Sequence, residues 1–138
     1  MRQLNCLDHN EAEKVIKVIK DELLRRQKAA VIAVSDENGE LIALLRLDGA
    51  PLPSINIAAN KAWTAARERK PTFDIGQAAR DPKSGFDMAY YGDHRYIGWG
   101  GGIPVIFDEK VIGSIAVSGL TEQEDIELAK IGLSAINN

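Results

Sequence analysis

The sequence predicts an α+β domain, an antiparallel sheet of about five strands with helices on its faces, occupying residues 1–138 as one unit. Three observations predict it. Two pairs of short apolar runs, each split by a polar turn, read as hairpins. Three stretches carry apolar residues at helical spacing behind capping residues. These elements follow one another as α-β-β-α, an irregular stretch, then β-β-α, with no internal repeat and no linker.

The first helix starts at Leu7-Asp8-His9-Asn10-Glu11, where Asp8 and Glu11 form a capping box. Ala12, Val15, Ile16, Ile19 and Leu23 then make one apolar stripe, and Arg25-Arg26 places positive charge at the C-terminal end. Ala30 to Ser35 reads as a strand, Asn38-Gly39 as a hairpin turn, and Glu40 to Leu47 as the returning strand. Leu41, Ala43, Leu45 and Leu47 occupy one face of that return and Ile42 and Leu44 the other, so burial on both faces is expected. Arg46 is then the one charge on a buried strand.

Ser54 is expected to cap a second helix running to about Arg69, where Lys70-Pro71 stops it. Its alanines, Ala58, Ala59, Ala62, Ala65 and Ala66, let a helix lie close to a sheet. Residues 72–99 are the least regular, with short helical stretches expected at Asp74–Arg80 and Phe86–Tyr91 and a fifth strand at Tyr96–Trp99. Every aromatic residue lies between Trp63 and Phe107, and a long irregular segment of this kind suits a lid or binding element. A second hairpin spans residues 100–119, bracketed by Gly100-Gly101-Gly102 and Gly119. The last helix runs from Thr121 to about Ser134 behind a capping box of Thr121 and Glu124.

Composition narrows the function. A net charge of −3 with no long basic run argues against a nucleic-acid surface or a membrane-docking patch. The single cysteine, Cys6, excludes an internal disulfide and a paired-cysteine zinc site, and is expected to be a plain buried or inert thiol. No apolar run has membrane-spanning length and residues 1–10 hold no signal core, so a cytoplasmic chain beginning near Met1 is expected. The triple glycine lacks the G-x-G-x-x-G spacing of a phosphate loop. Ser118-Gly119 is not a nucleophile elbow, which speaks against a hydrolase.

Three stretches together resemble a known family. They are Val34-Ser35-Asp36 through Gly39 with Arg46-Leu47-Asp48-Gly49-Ala50; Ser54 and Ala58 with Lys61-Ala62-Trp63-Thr64-Ala65; and Gly101-Gly102-Ile103-Pro104 with Ile112-Gly113-Ser114-Ile115-Ala116-Val117-Ser118-Gly119, followed by Asp125. In this order and spacing they are similar to the family of GlcG, HbpS and the C-terminal domain of the PduO corrinoid adenosyltransferases. The resemblance covers roughly residues 4 to 135. It implies a profilin-like three-layer α-β-α sandwich and assembly into symmetric homo-oligomers. It also implies a ligand class, since some members bind haem and some sit beside cobalamin-dependent diol metabolism.

The candidate site residues carry two readings each. Arg46 and Asp48 are either an anion-recognising guanidinium with its neighbour, or an internal pair, Arg46 with Asp48 or with Asp125, that fixes a loop. Lys61 is an anion binder or base on an alanine-lined helix face, or a solvated lysine. Gly101, Gly102 and Pro104 give backbone access to a flat ligand, or bend the chain into the hairpin. His9 and His94 are the histidines a haem iron would take; otherwise one is an exposed first-turn residue and the other a loop residue bonded to Asp93 or solvent.

Together these residues suggest a binding protein with a cleft between the second helix, the aromatic segment and the glycine end of the second hairpin. Its ligand is a small anionic or planar molecule, with haem or another tetrapyrrole implied by the resemblance. Two alternatives stand beside it. One is an enzyme acting on a small hydroxy acid or aldehyde, with Lys61 as base or imine former and Arg46 as carboxylate clamp. The other is a structural oligomer subunit without a ligand.

Overall fold

The computed structural model describes residues 1–136. Its elements run α1 (His9–Arg25), β1 (Val31–Ser35), β2 (Leu41–Arg46), α2 (Ser54–Glu68), α3 (Thr72–Ala79), a 3₁₀ turn at Met88–Tyr91, β3 (Gly102–Phe107), β4 (Lys110–Ser118) and α4 (Glu122–Leu133). Among the described residues the sheet has four strands in the order β2-β1-β4-β3, every pair antiparallel. The two hairpins are joined through the central β1–β4 pair.

Strand alternation sorts the side chains into two unlike layers. Ile32, Val34, Ile115 and Val117 join Val15, Ile19 and Leu23 of α1 and Leu128 and Ala129 of α4 in the main core. The opposite face carries Val31, Ala33 and Ala116, which meet Ala58 and Ala62 of α2. Ser35, Ser114 and Ser118 extend that small-residue face. Ser114 Oγ donates to the Ala62 carbonyl at 2.6 Å and lies 2.7 Å from Ser35 Oγ. Because the facing residues are small, α2 lies almost on the sheet backbone. At Gly39 a Cβ would fall 2.7 Å from the Trp63 carbonyl oxygen. The result is the three-layer α-β-α sandwich, with α1 and α4 on one side of the sheet and α2 on the other.

The helix ends follow the capping signals. Asp8 accepts from the Glu11 amide at 2.9 Å, and Thr121 Oγ1 accepts from the Glu124 amide at 3.2 Å and donates to its carboxylate. The cap of α2 differs from expectation. Ser54 is the first helical residue, Pro53 precedes it, and no side chain caps the end. Ser54 instead turns inward, accepting a hydrogen bond from Ser118 Oγ at 3.2 Å.

Two strand expectations are corrected. Tyr96–Trp99 does not form a fifth strand. Thr64 on α2 claims this segment's backbone, donating to the Arg95 carbonyl and accepting from the Ile97 amide, so the chain crosses the helix as a loop. Nor is β2 buried on both faces. It is an edge strand, with Leu41 and Arg46 exposed and the residues between them half-buried. No fifth strand flanks it, and α2 lies chiefly over β1, β4 and β3.

Candidate functional site

The glycines that open β3 have a specific neighbour. At Gly101, with φ +128°, a Cβ would fall 2.6 Å from the Val117 carbonyl oxygen, 2.8 Å from Lys61 Nζ and 3.0 Å from Asp125 Cβ. At Gly102 a Cβ would fall 2.5 Å from the Lys61 carbonyl oxygen. Glycine is needed here because backbone and side chain pass too closely for any other residue. Thr72 fixes the second glycine, accepting from the Gly102 amide at 3.0 Å. The paired glycines lie along Lys61, one against its backbone and the other against its Nζ.

Lys61 is 2% exposed, which overturns the reading of a solvated lysine. Its Nζ donates to the Val117 carbonyl at 3.0 Å and to Asp125 Oδ2 at 3.2 Å. Asp125 is 3% exposed, and its Oδ1 accepts from the Leu120 amide at 3.2 Å. The lysine comes from the α2 layer and the aspartate from the α4 layer. They meet past the end of β4, so the pair ties the two helical layers together.

Burial works against both charges. It pulls the Lys61 ammonium below the ordinary lysine range, opposed by the charge and hydrogen bond of Asp125. It lifts the Asp125 carboxyl above the ordinary carboxylate range, opposed by Lys61 and by the backbone amides of Leu120 and Gly119. Such shifts in groups that line a cleft mark a candidate chemical centre.

The cleft encloses about 340 Å³ above this pair. Ser54, Ile57 and Lys61 of α2 form one wall, Trp99 and Gly100 of the aromatic segment a second, and Ser118 and Gly119 at the end of β4 the floor. Pro51 and Leu120 close the rim, and Glu122 and Asp125 add carboxylates. Glu122 also positions the aromatic segment by accepting from the Gly100 amide at 2.8 Å.

The structure brings together part of the expected residue set. Lys61 lines the cleft, with Gly101 and Gly102 packed behind it. Pro104 lies in β3 opposite Ser114, on an edge strand, where a missing amide is tolerated. Arg46 and Asp48 lie elsewhere, in a separate groove with Lys20, Leu24, Lys28 and Leu45. An Arg46–Asp125 pair does not form, because Asp125 is held by Lys61. His9 is exposed at the start of α1 and His94 is exposed in the loop before β3. Asp93, expected beside His94, is bound by Arg95. Neither histidine lines the cleft.

Asp125 as the partner of Lys61, and Ser54, Ser118, Trp99 and Glu122 as cleft walls, escape the sequence. The available signal was Asp125 itself, an acid on α4 that follows the small-residue end of β4. Among the described residues no group of three or more His, Cys, Asp or Glu side chains is placed to hold a metal ion, and no helix is long and apolar enough to cross a membrane.

A second polar-aromatic cluster lies on the outer side of α2. Trp63 is flanked by the Arg67 and Arg95 guanidiniums at 4.6 and 4.2 Å from its ring centroid and meets Tyr96 edge-on at 4.7 Å. Tyr91 stacks on Tyr96 at 4.2 Å. Tyr90 is 89% exposed beside them in the chain.

Comparison with known proteins places this architecture. The family model described as "Haem degrading protein HbpS-like" matches residues 7–134. An uncharacterised 15.0 kDa protein from the dhaT-dhaS intergenic region of Citrobacter freundii is 32% identical over 136 residues, covering 99% of this chain and 96% of that protein. The crystal structure of Klebsiella pneumoniae protein ORFY superposes with a TM-score of 0.90 at 31% identity, covering 98% of this chain and 93% of that one. A solved PduOC:heme complex shares the fold, with a TM-score of 0.88 at 22% identity and 96% coverage of both chains. A family match over nearly the whole chain, joined to a relative of the same length and the same sandwich, establishes that the chain belongs to the HbpS-like family.

Proposed function

We propose that this chain is an accessory protein that binds haem or another tetrapyrrole and works as a homo-oligomer. Family membership over residues 7–134 is the observation that carries the ligand class, and the PduOC:heme complex on the same fold supports it. A haem iron takes His, Cys, Met or Tyr as axial ligand. The Lys61 cleft is lined by none of these. We therefore assign the iron to the surface around His94. It presents an exposed imidazole in a segment that also holds the exposed Tyr90 and Tyr91.

In this reading His94 holds the iron and the tyrosines offer flat apolar faces. Bound haem would supply the iron chemistry; the chain supplies its seat and orientation. His9, at the start of α1, is the alternative ligand. Exposed apolar groups at the far end of β3, Ile106 and Phe107, favour assembly with further copies. A lone free thiol suits a reducing compartment, here the cytoplasm.

Titration with haemin tests the reading. The expected result is a saturable Soret shift that His94→Ala abolishes and His9→Ala leaves intact. Absence of a saturable shift would overturn tetrapyrrole binding. A shift unchanged in both variants would overturn histidine ligation.

A further inference from the structure

The haem reading leaves the cleft at Lys61 without a task. We propose that this cleft is a second site, in which Lys61 captures a small neutral aldehyde or ketone as an imine with Asp125 as its proton-transfer partner. This inference is independent of the haem reading.

The geometry supplies four requirements. Lys61 lines a cleft, and its Nζ is held by the Val117 carbonyl and Asp125 Oδ2. A carboxyl group lies within hydrogen-bond reach, close enough to take a proton from the ammonium and return it to oxygen. The cleft, at about 340 Å³, suits a molecule of a few heavy atoms with the half-exposed Trp99 at its mouth. Hydroxyls of Ser54 and Ser118 line the same space and offer hydrogen bonds to polar substituents.

The charge of the cleft selects the substrate class. Lys61 faces two carboxylates, Asp125 and Glu122, and Arg46 lies in another groove. A substrate carboxylate would meet this excess negative charge without a guanidinium to receive it. The structure therefore favours an uncharged carbonyl compound over the hydroxy acid that Arg46 would have clamped.

The step balances without an oxidant or reductant. Lys61 passes a proton to Asp125 and attacks the carbonyl carbon as the free amine. The N–C bond forms as the carbonyl π pair moves to oxygen. Asp125 protonates that oxygen and takes a proton from the nitrogen, which gives the carbinolamine. Asp125 then returns that proton to the departing hydroxyl group as the nitrogen lone pair closes the C=N bond, so water leaves and a protonated imine, keeping the last N–H, stays on Lys61. Burial, which already disfavours the ammonium, raises the share of free amine at neutral pH.

Reductive trapping tests the proposal. The intact protein is incubated at pH 7 with glycolaldehyde, propionaldehyde or glyoxylate and cyanoborohydride, and adducts are mapped by peptide mass spectrometry. With the neutral aldehydes, Lys61 is expected to label several-fold faster than exposed lysines such as Lys17 and Lys83, because burial favours its free amine and Asp125 serves as proton-transfer partner. Unfolding in guanidinium chloride is expected to erase the preference. Asp125→Asn removes the proton-transfer group and is expected to slow labelling at Lys61 although it raises the share of free amine, without changing labelling at Lys17. An unlabelled Lys61 in the folded wild-type protein overturns imine formation. Labelling by glyoxylate as fast as by glycolaldehyde overturns the assignment to neutral carbonyls. Haemin titration of the trapped protein is expected to match that of the untreated protein, so either reading can fail alone.

Discussion

Lys61 Nζ and Asp125 Oδ2 lie 3.2 Å apart, the lysine from one helical layer and the aspartate from the other. Both residues are almost wholly buried, and burial drives each toward its neutral form. The pair is therefore poorly explained by stability alone. A folded-state pKa below the ordinary lysine value makes charged Lys61 a cost that is relieved as pH rises toward that value. A folded-state pKa above the ordinary aspartate value makes charged Asp125 a cost that is relieved as pH falls toward it.

The first prediction is a non-additive pair. Lys61→Met leaves Asp125 buried without its counter-charge and is expected to cost about 3–5 kcal/mol at pH 7. Lys61→Met with Asp125→Asn removes both charges while keeping an acceptor for the Leu120 amide, and is expected to recover most of that loss. Urea denaturation of the single and double variants reads the coupling. Additive single costs would show that the two residues do not act as a unit.

Gly101 supplies a second prediction. Alanine there meets a positive φ, the Val117 carbonyl and Lys61 Nζ at once, with an expected loss of about 1–3 kcal/mol. Gly92 is the control, because it also has positive φ but nothing lies within 4 Å of its added Cβ. Gly92→Ala should cost only the backbone penalty, about 1–2 kcal/mol. The sharper readout is the rate of reductive labelling at Lys61, which Gly101→Ala should change and Gly92→Ala should not.

Acid stability depends on a surface network that the cleft does not touch. Glu22 on α1 accepts from Arg25 and Arg26, which lower its carboxyl to about 2, and Arg26 also reaches Glu127 on α4. The folded-state pKa lies below the ordinary 4.5, so this contribution is present above 4.5 and is lost as pH falls toward 2. Thermal melts between pH 5 and 2 should show a shallower acid slope in Glu22→Gln than in the wild type.

Cys6 is exposed yet unreactive in this account. Desolvation and the nearby Glu37 carboxylate push its thiol up to about 11, so the nucleophilic thiolate is scarce at pH 7.5. Alkylation by iodoacetamide should be slower than for a free cysteine peptide. Glu37→Gln should accelerate it, and an unchanged rate would remove Glu37 as a cause.

Much of the scaffold was legible because it is written in local chemistry. Asp8, Asn38-Gly39 and Thr121 place element ends through their own side chains and turn preferences. The alanines of α2 correctly signalled close packing on the sheet. The failures are all matters of tertiary neighbours. The apolar run of β2 reads as doubly buried, but only strand order reveals that it is an edge. Tyr96–Trp99 has strand composition, but Thr64 takes its hydrogen bonds. Arg46 and Lys61 look alike in sequence as lone charges among apolar residues. One stands at a sheet edge, while the other runs past two glycines to a carboxylate on a helix from the opposite layer.

The most direct test of this account is the titration of Lys61 itself, followed by NMR of its side chain in protein labelled at lysine. The account predicts a Lys61 midpoint below the ordinary lysine value, moved further down by Asp125→Asn, which removes the charge that favours the ammonium. A Lys61 midpoint at the ordinary lysine value, unmoved by Asp125→Asn, would contradict it.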